Sequence, residues 1–92
     1  LGIMPFEQEM LERSSIWEFD ESLQVRLPTP EDLIIMKAIA HRPKDFEDIR
    51  TIVDKYPDLD QRRIERWVKD FAEALETPEL WGQVEKLLKQ QE

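Results

Sequence analysis

Thr29-Pro30-Glu31-Asp32-Leu33-Ile34-Ile35-Met36-Lys37-Ala38-Ile39-Ala40 is the stretch whose reading decides the fold. Thr29 has the hydroxyl of a helix N-cap, proline suits the first helical position, and Glu31 and Asp32 favour the positive end of the helix dipole. From Asp32 to about Ala40 the helix is apolar almost all round, interrupted by one charge, Lys37. A helix of that kind belongs in the centre of a fold rather than on its surface. His41-Arg42-Pro43-Lys44 breaks it and starts another, with Asp45, Glu47 and Asp48 in the opening turns and Phe46, Ile49, Val53 and Tyr56 as the apolar stripe.

Two more helices follow. Pro57-Asp58 ends the previous element and Asp60 reads as an N-cap, with Leu59 and Ile64 spaced for a hydrophobic staple. Ile64, Trp67, Val68, Phe71, Ala72 and Leu75 recur at helical intervals. Thr77-Pro78-Glu79 repeats the start signal, and Leu80, Trp81, Val84, Leu87 and Leu88 form the last stripe. Gly82 interrupts that stripe at about 1 kcal/mol of helix propensity, a position that would let another backbone approach. Upstream of Thr29, Leu23, Val25 and Leu27 alternate with Gln24 and Arg26, the period of a half-buried strand. Ile16-Trp17-Glu18-Phe19 pairs with it across the turn at 20–22. Phe6 to Arg13 is a short helix with Phe6, Met10 and Leu11 on one side. The expected order is a short N-terminal helix, one β-hairpin, then four helices. That is an α+β, predominantly helical fold in which residues 1–92 form a single domain.

Composition narrows the function classes. Ninety-two residues with 40% hydrophobic content support one core, and 37% charged residues give a densely ionised surface. The net charge of −8 repels phosphate backbones and argues against independent nucleic-acid binding. There is no cysteine, which excludes disulfides, thiolate metal sites and cysteine nucleophiles and suits a cytoplasmic protein. No run approaches the ~20 apolar residues of a membrane span, and no basic-then-apolar leader opens the chain. The opening Leu1-Gly2-Ile3-Met4-Pro5 is apolar and lacks an initiator methionine at position 1, so either tag residues precede Met4 or the chain has been cut from something longer, the second being the expectation.

Three features carry possible chemistry. Lys37, flanked by apolar residues, must reach solvent along its own stem or find a partner; a lysine held near a cleft for an anion is the sharper alternative. Asp45 and Asp48 share a helix face at a spacing of three, which fits dipole complements, a carboxylate partner for Lys37 across the turn, or part of a Mg²⁺ site that needs further ligands. His41, the single histidine, is placed to cap a helix C-terminus. Trp17, Trp67 and Trp81 read as core. Arg62, Arg63 and Arg66, interspersed with Glu65 and Asp70, read as a solvated ion-pair face. With glycine only at positions 2 and 82, no phosphate-binding glycine loop exists.

The run from Leu27 to Ile49 resembles nucleotidyltransferase-like proteins related to the abortive-infection (AbiEii-type) toxins, hence a toxin–antitoxin setting. Those carry a strand, a Pro-Glu-Asp-Leu helix start, a lysine within an apolar helix, then Ala-x-Arg and an Asp-x-x-Asp-hydrophobic helix. The later helices agree more loosely. The resemblance implies that Lys37 meets a nucleoside triphosphate and that Asp45, and more weakly Asp48, position it; these three are the candidate catalytic residues, with Lys37 also binding the nucleotide. It implies NTP and Mg²⁺ as cofactors of the complete family protein and none for this chain alone. The family's Gly-Ser turn and Asp-x-Asp pair do not occur here, so the chain alone is expected to be inactive. Its expected partner is a missing N-terminal nucleotidyltransferase half, and the apolar face left bare for it is expected around Ile35 and the N-terminal segment. The alternative is a freestanding helical interaction or regulatory module without catalysis, binding a protein partner or forming a homodimer.

Overall fold

A computed structural model describes residues 3–89, with the side chains of Ile3, Met4, Trp17 and Phe19 outside the description. The order is α1 (Ile3–Arg13), β1 (Ser15–Asp20), β2 (Leu23–Leu27), α2 (Pro30–Ala40), α3 (Pro43–Lys55), α4 (Gln61–Ala74) and α5 (Leu80–Lys89). The fold is α+β and predominantly helical. The expected roles of Leu1, Gly2 and the Trp17 side chain lie outside the described residues.

The start signals act as the sequence implies. The Thr29 hydroxyl accepts a hydrogen bond from the Asp32 backbone N–H at 3.3 Å, and Pro30 opens α2. Asp60 caps α4 through Arg63 N–H at 3.2 Å. α2 ends at His41, whose backbone is left-handed at φ 59° and whose N–H donates to the Lys37 carbonyl at 3.2 Å. His41 therefore caps through its backbone, while its ring lies 3.0 Å from Gln83 Oε1 and edge-on to Phe46. Thr77 does not repeat the Thr29 arrangement, because its hydroxyl donates back to the Leu75 carbonyl.

The core is built by α2 packing on α3 and α4, and by α5 packing on α3 and α4. Ile34, Ile35, Ala38, Ile49, Ile64, Val68 and Val84 are wholly inaccessible. Phe6 anchors α1 there, edge-on to Trp67 and Phe71 with ring centroids 5.4 and 5.5 Å apart. Aromatic pairs in that geometry contribute about 0.5–1.5 kcal/mol beyond their buried area.

Several expected positions differ. Ile35 is buried, so the α2 surface left bare lies at Met36 instead, which lines a recess with Leu11 of α1. Leu11 and Leu75, read as stripe residues, are exposed; Leu11 sits in the last turn of α1 and Leu75 just past the end of α4, where the stripes run off the edge of the core. Trp67 is core and Trp81 is partly covered. Gly82 faces open space, with nothing among the described residues within 4 Å of where a Cβ would sit, so none of their backbone approaches it.

The hairpin is antiparallel, with Ser15 opposite Leu27 and Trp17 opposite Val25, and a register irregularity between Glu18 and Asp20. Asp20 turns the chain by accepting from the Ser22 backbone N–H at 2.7 Å. Val25 is half-buried, whereas Leu23, Leu27 and Ile16 are exposed. The hairpin is tied to α1 by Arg26, whose Nη1 donates to the Leu11 carbonyl at 3.3 Å and the Ser14 hydroxyl at 3.0 Å.

Candidate functional site

The corner between α2 and α3 gathers the expected residues. Lys37, on the last turn of α2, projects toward α3 and its Nζ lies 2.8 Å from Asp48 Oδ2 and 3.9 Å from Asp45 Oδ1. The ammonium thus meets both carboxylates across the turn, and Asp48 is the closer. Its side chain is 31% exposed and that of Asp48 36%, so the ion pair sits at the solvent boundary. A pair so placed contributes at most about 1 kcal/mol to stability.

Asp45 behaves differently. It is buried, and its main partner is Arg42: Nε donates to Oδ2 at 2.7 Å and Nη2 to Oδ1 at 3.3 Å. The Arg42 backbone N–H adds a third hydrogen bond to Oδ2 at 3.3 Å. Arg42 is the N-cap of α3 and Asp45 its third residue, so the carboxylate reaches back as a capping-box acid does. Hydrogen bonding from Arg42 holds the Asp45 carboxyl below the ordinary carboxylate range, against burial, which pushes it up. The same bond, followed by the charge of Asp45, raises Arg42. Arg42 was not singled out as a site residue by the sequence; the signal available was its N-cap position three residues before an acid.

A second charged cluster was also missed. Asp32, which reads as a dipole complement, has no accessible surface, and Arg63, which reads as part of a solvated face, has a side chain only 10% exposed. Arg63 Nε donates to Asp32 Oδ1 at 2.7 Å and Nη1 to Glu9 Oε1 at 2.7 Å, while Arg13 Nε lies 3.5 Å from Asp32 Oδ2. Burial lowers the Arg63 pKa and the hydrogen bonds to Asp32 and Glu9 raise it, with a net upward shift. Glu9 is lowered, chiefly by its hydrogen bond from Arg63. This network fastens α1 to α2 and α4. The rest of the arginine face does reach solvent: Arg62 is exposed, and Arg66 lies over the Trp67 ring at 4.9 Å.

Mg²⁺ does not fit the described residues. Among the described residues no group of three or more His, Asp or Glu side chains is placed to hold a metal ion. Asp45 and Asp48 are engaged by Arg42 and Lys37, and an octahedral oxygen shell cannot be drawn from them. The apolar recesses lie elsewhere. One, of about 260 Å³, is lined by Met10, Leu11, Ser14, Arg26, Pro28 and Met36. Another lies under the hairpin between Leu27, Leu33 and Tyr56. No helix among the described residues is long and apolar enough to cross a membrane.

Comparison with known proteins adds one finding. Residues 2–79 match the model of a family described as nucleotidyltransferase of unknown function (DUF6036), and the chain belongs to that family. No curated protein and no solved structure matches it.

Proposed function

We propose, with membership of this nucleotidyltransferase family as the premise, that the α2–α3 corner is the part of a nucleotide-binding site that this chain supplies. The observation that carries the reading is Lys37: an ammonium on the innermost helix, led to the surface and held there by Asp48 at 2.8 Å with Asp45 behind it. A lysine fixed in that way at the end of an apolar helix suits the phosphates of a nucleoside triphosphate, which would take over from Asp48 as its counter-ion. In this reading Lys37 binds the nucleotide, and Asp45 and Asp48 set its position.

The same reading makes residues 1–92 the C-terminal part of a longer cytoplasmic protein related to the AbiEii-type toxins. The Gly-Ser turn and Asp-x-Asp pair of that family, and the Mg²⁺ they would hold, belong to polypeptide outside this chain. The exposed Leu11 and Met36, which line one recess together with Met10, support the reading, because an apolar recess of that kind is commonly covered by more protein. The recess also favours the second reading, a helical interaction module without catalysis, and nucleotide binding separates the two.

The test is Lys37→Ala in the complete protein. Nucleoside triphosphate binding and transfer are expected to be lost, while stability changes by no more than about 1 kcal/mol because the ion pair is half-exposed. Normal activity in that variant would end the proposal.

A further inference from the structure

We infer that Arg42 is a second phosphate-binding residue, which together with Lys37 forms a two-cation clamp for the polyphosphate tail of a nucleotide. This rests on the proposed reading of Lys37 and extends it to a residue that the reading does not assign.

The two cations are coupled through a single atom. Asp45 Oδ1 lies 3.9 Å from Lys37 Nζ and accepts from Arg42 Nη2 at 3.3 Å. The Asp45 side chain is 2% exposed, whereas that of Arg42 is 71% exposed and that of Lys37 31%. The carboxylate is thus a fixed internal post, with two cations leaning on it from the solvent side. Asp45 occupies the Nε–Nη2 edge of the guanidinium. Among the described residues the Nη1 edge has no hydrogen bond, so a donor pair remains for an outside acceptor. The guanidinium is also pre-ordered, because its backbone is the N-cap of α3 and its head is held at two points. A phosphate arriving there would not have to immobilise a free side chain, which is a main cost of binding with arginine. Asp48 is the contrasting acid. It is 36% exposed and among the described residues its hydrogen bond is to Lys37, so a phosphate can displace it without disturbing the cap.

Asp45 is then a positioning residue: it sets the spacing of the cations and is too buried to meet the nucleotide itself. A purely structural Arg42 would serve the capping box and nothing else, and the two roles separate by ligand.

The experiment is equilibrium binding of ATP, inorganic tripolyphosphate and AMP to the complete protein, in the wild type and in Lys37→Met, Arg42→Gln and Arg42→Lys. Arg42→Gln is expected to weaken ATP and tripolyphosphate about ten- to a hundredfold, the value of one charge-assisted contact, and to leave AMP nearly unchanged. Arg42→Lys keeps the charge beside Asp45 and loses the planar fork, so it is expected to fold normally and to recover only part of the tripolyphosphate affinity. It keeps the test decisive if Arg42→Gln unfolds. Loss of ATP in Lys37→Met with unchanged tripolyphosphate affinity in Arg42→Lys and in any folded Arg42→Gln would overturn the clamp and leave the Lys37 reading standing. Equal ATP affinity in the wild type and Lys37→Met, or no ATP binding by the wild type, would overturn both.

Discussion

Two buried carboxylates, Asp32 and Asp45, each answered by an arginine, carry most of what is unusual at the level of single residues. For Asp32 the partner is 31 positions away in the chain, and removing one member of a buried pair leaves the other charge uncompensated. Asp32→Ala is therefore expected to cost about 3–5 kcal/mol in chemical denaturation, a large part of a small domain's stability. A cost under about 1 kcal/mol would mean that Arg63 swings out to water. Asp45 adds a pH dependence. Its pKa is depressed in the folded state, so its pairing with Arg42 contributes fully above the unfolded value of ~3.9 and is lost as pH falls through the lower folded value. Glu9, depressed by Arg63, acts in the same sense. Melting temperature is expected to hold between about pH 7 and 5 and to fall below about 4, less steeply in Arg42→Gln. Asp45 follows Arg42 at the spacing of a capping box, a local signal, but the Asp32–Arg63 pair was not legible in the sequence. An acid in the first turn of a helix looks the same whether it faces water or a buried guanidinium, and only tertiary packing decides between them.

At the scale of elements, the helices were legible because caps and periodicity agreed. Thr29 and Asp60 cap where their chemistry indicates, and the stripes of α4 and α5 bury Ile64, Trp67, Phe71, Leu80 and Val84. Thr29→Ala is accordingly expected to cost about 1 kcal/mol in denaturant titration. What periodicity could not supply was the extent of the core. Leu11, Leu75 and Leu27 keep their registers, yet the described residues cover each of them only in part. Gly82 shows the same limit in reverse. A glycine inside a helix suggests a close approach, but here an added methyl meets no atom within 4 Å. Its helical backbone has an ordinary negative φ, since no described glycine is positive. Gly82→Ala is therefore expected to stabilise the protein by about 0.5–1 kcal/mol, as helix propensity dictates. A loss of stability would show that another chain docks against α5 at that point.

Over the whole molecule, the helices form the cohesive part and the hairpin stands off from it. The radius of gyration is 13.8 Å, against ~12 Å for a compact chain of this length, and the extents of 44 × 34 × 23 Å are those of an uneven body. Among the described residues β1 and β2 pair only with each other, and a two-stranded ribbon is marginal in water without a third strand or a helix across its face. The Arg26 anchor to α1 and the half-buried Val25 supply little to offset this. The lysine corner was legible as an anomaly, one charge in an apolar helix next to acids across a turn; its second cation was not, because Arg42 looks like any surface arginine. Whether the proposed site shares a surface with further polypeptide beside the hairpin was not legible either. Hydrogen exchange connects these points. In the 92-residue chain, amides of residues 15–27 are expected to exchange orders of magnitude faster than those at the centres of α2 and α4. In the complete protein the same amides are expected to slow toward the α2 values if additional polypeptide packs on the hairpin beside the Lys37 corner. Equal protection of hairpin and helices in the short chain would mean that the ribbon is stable by itself, and would remove the bare-face support for a missing half while leaving Lys37 and Arg42 to be judged by nucleotide binding.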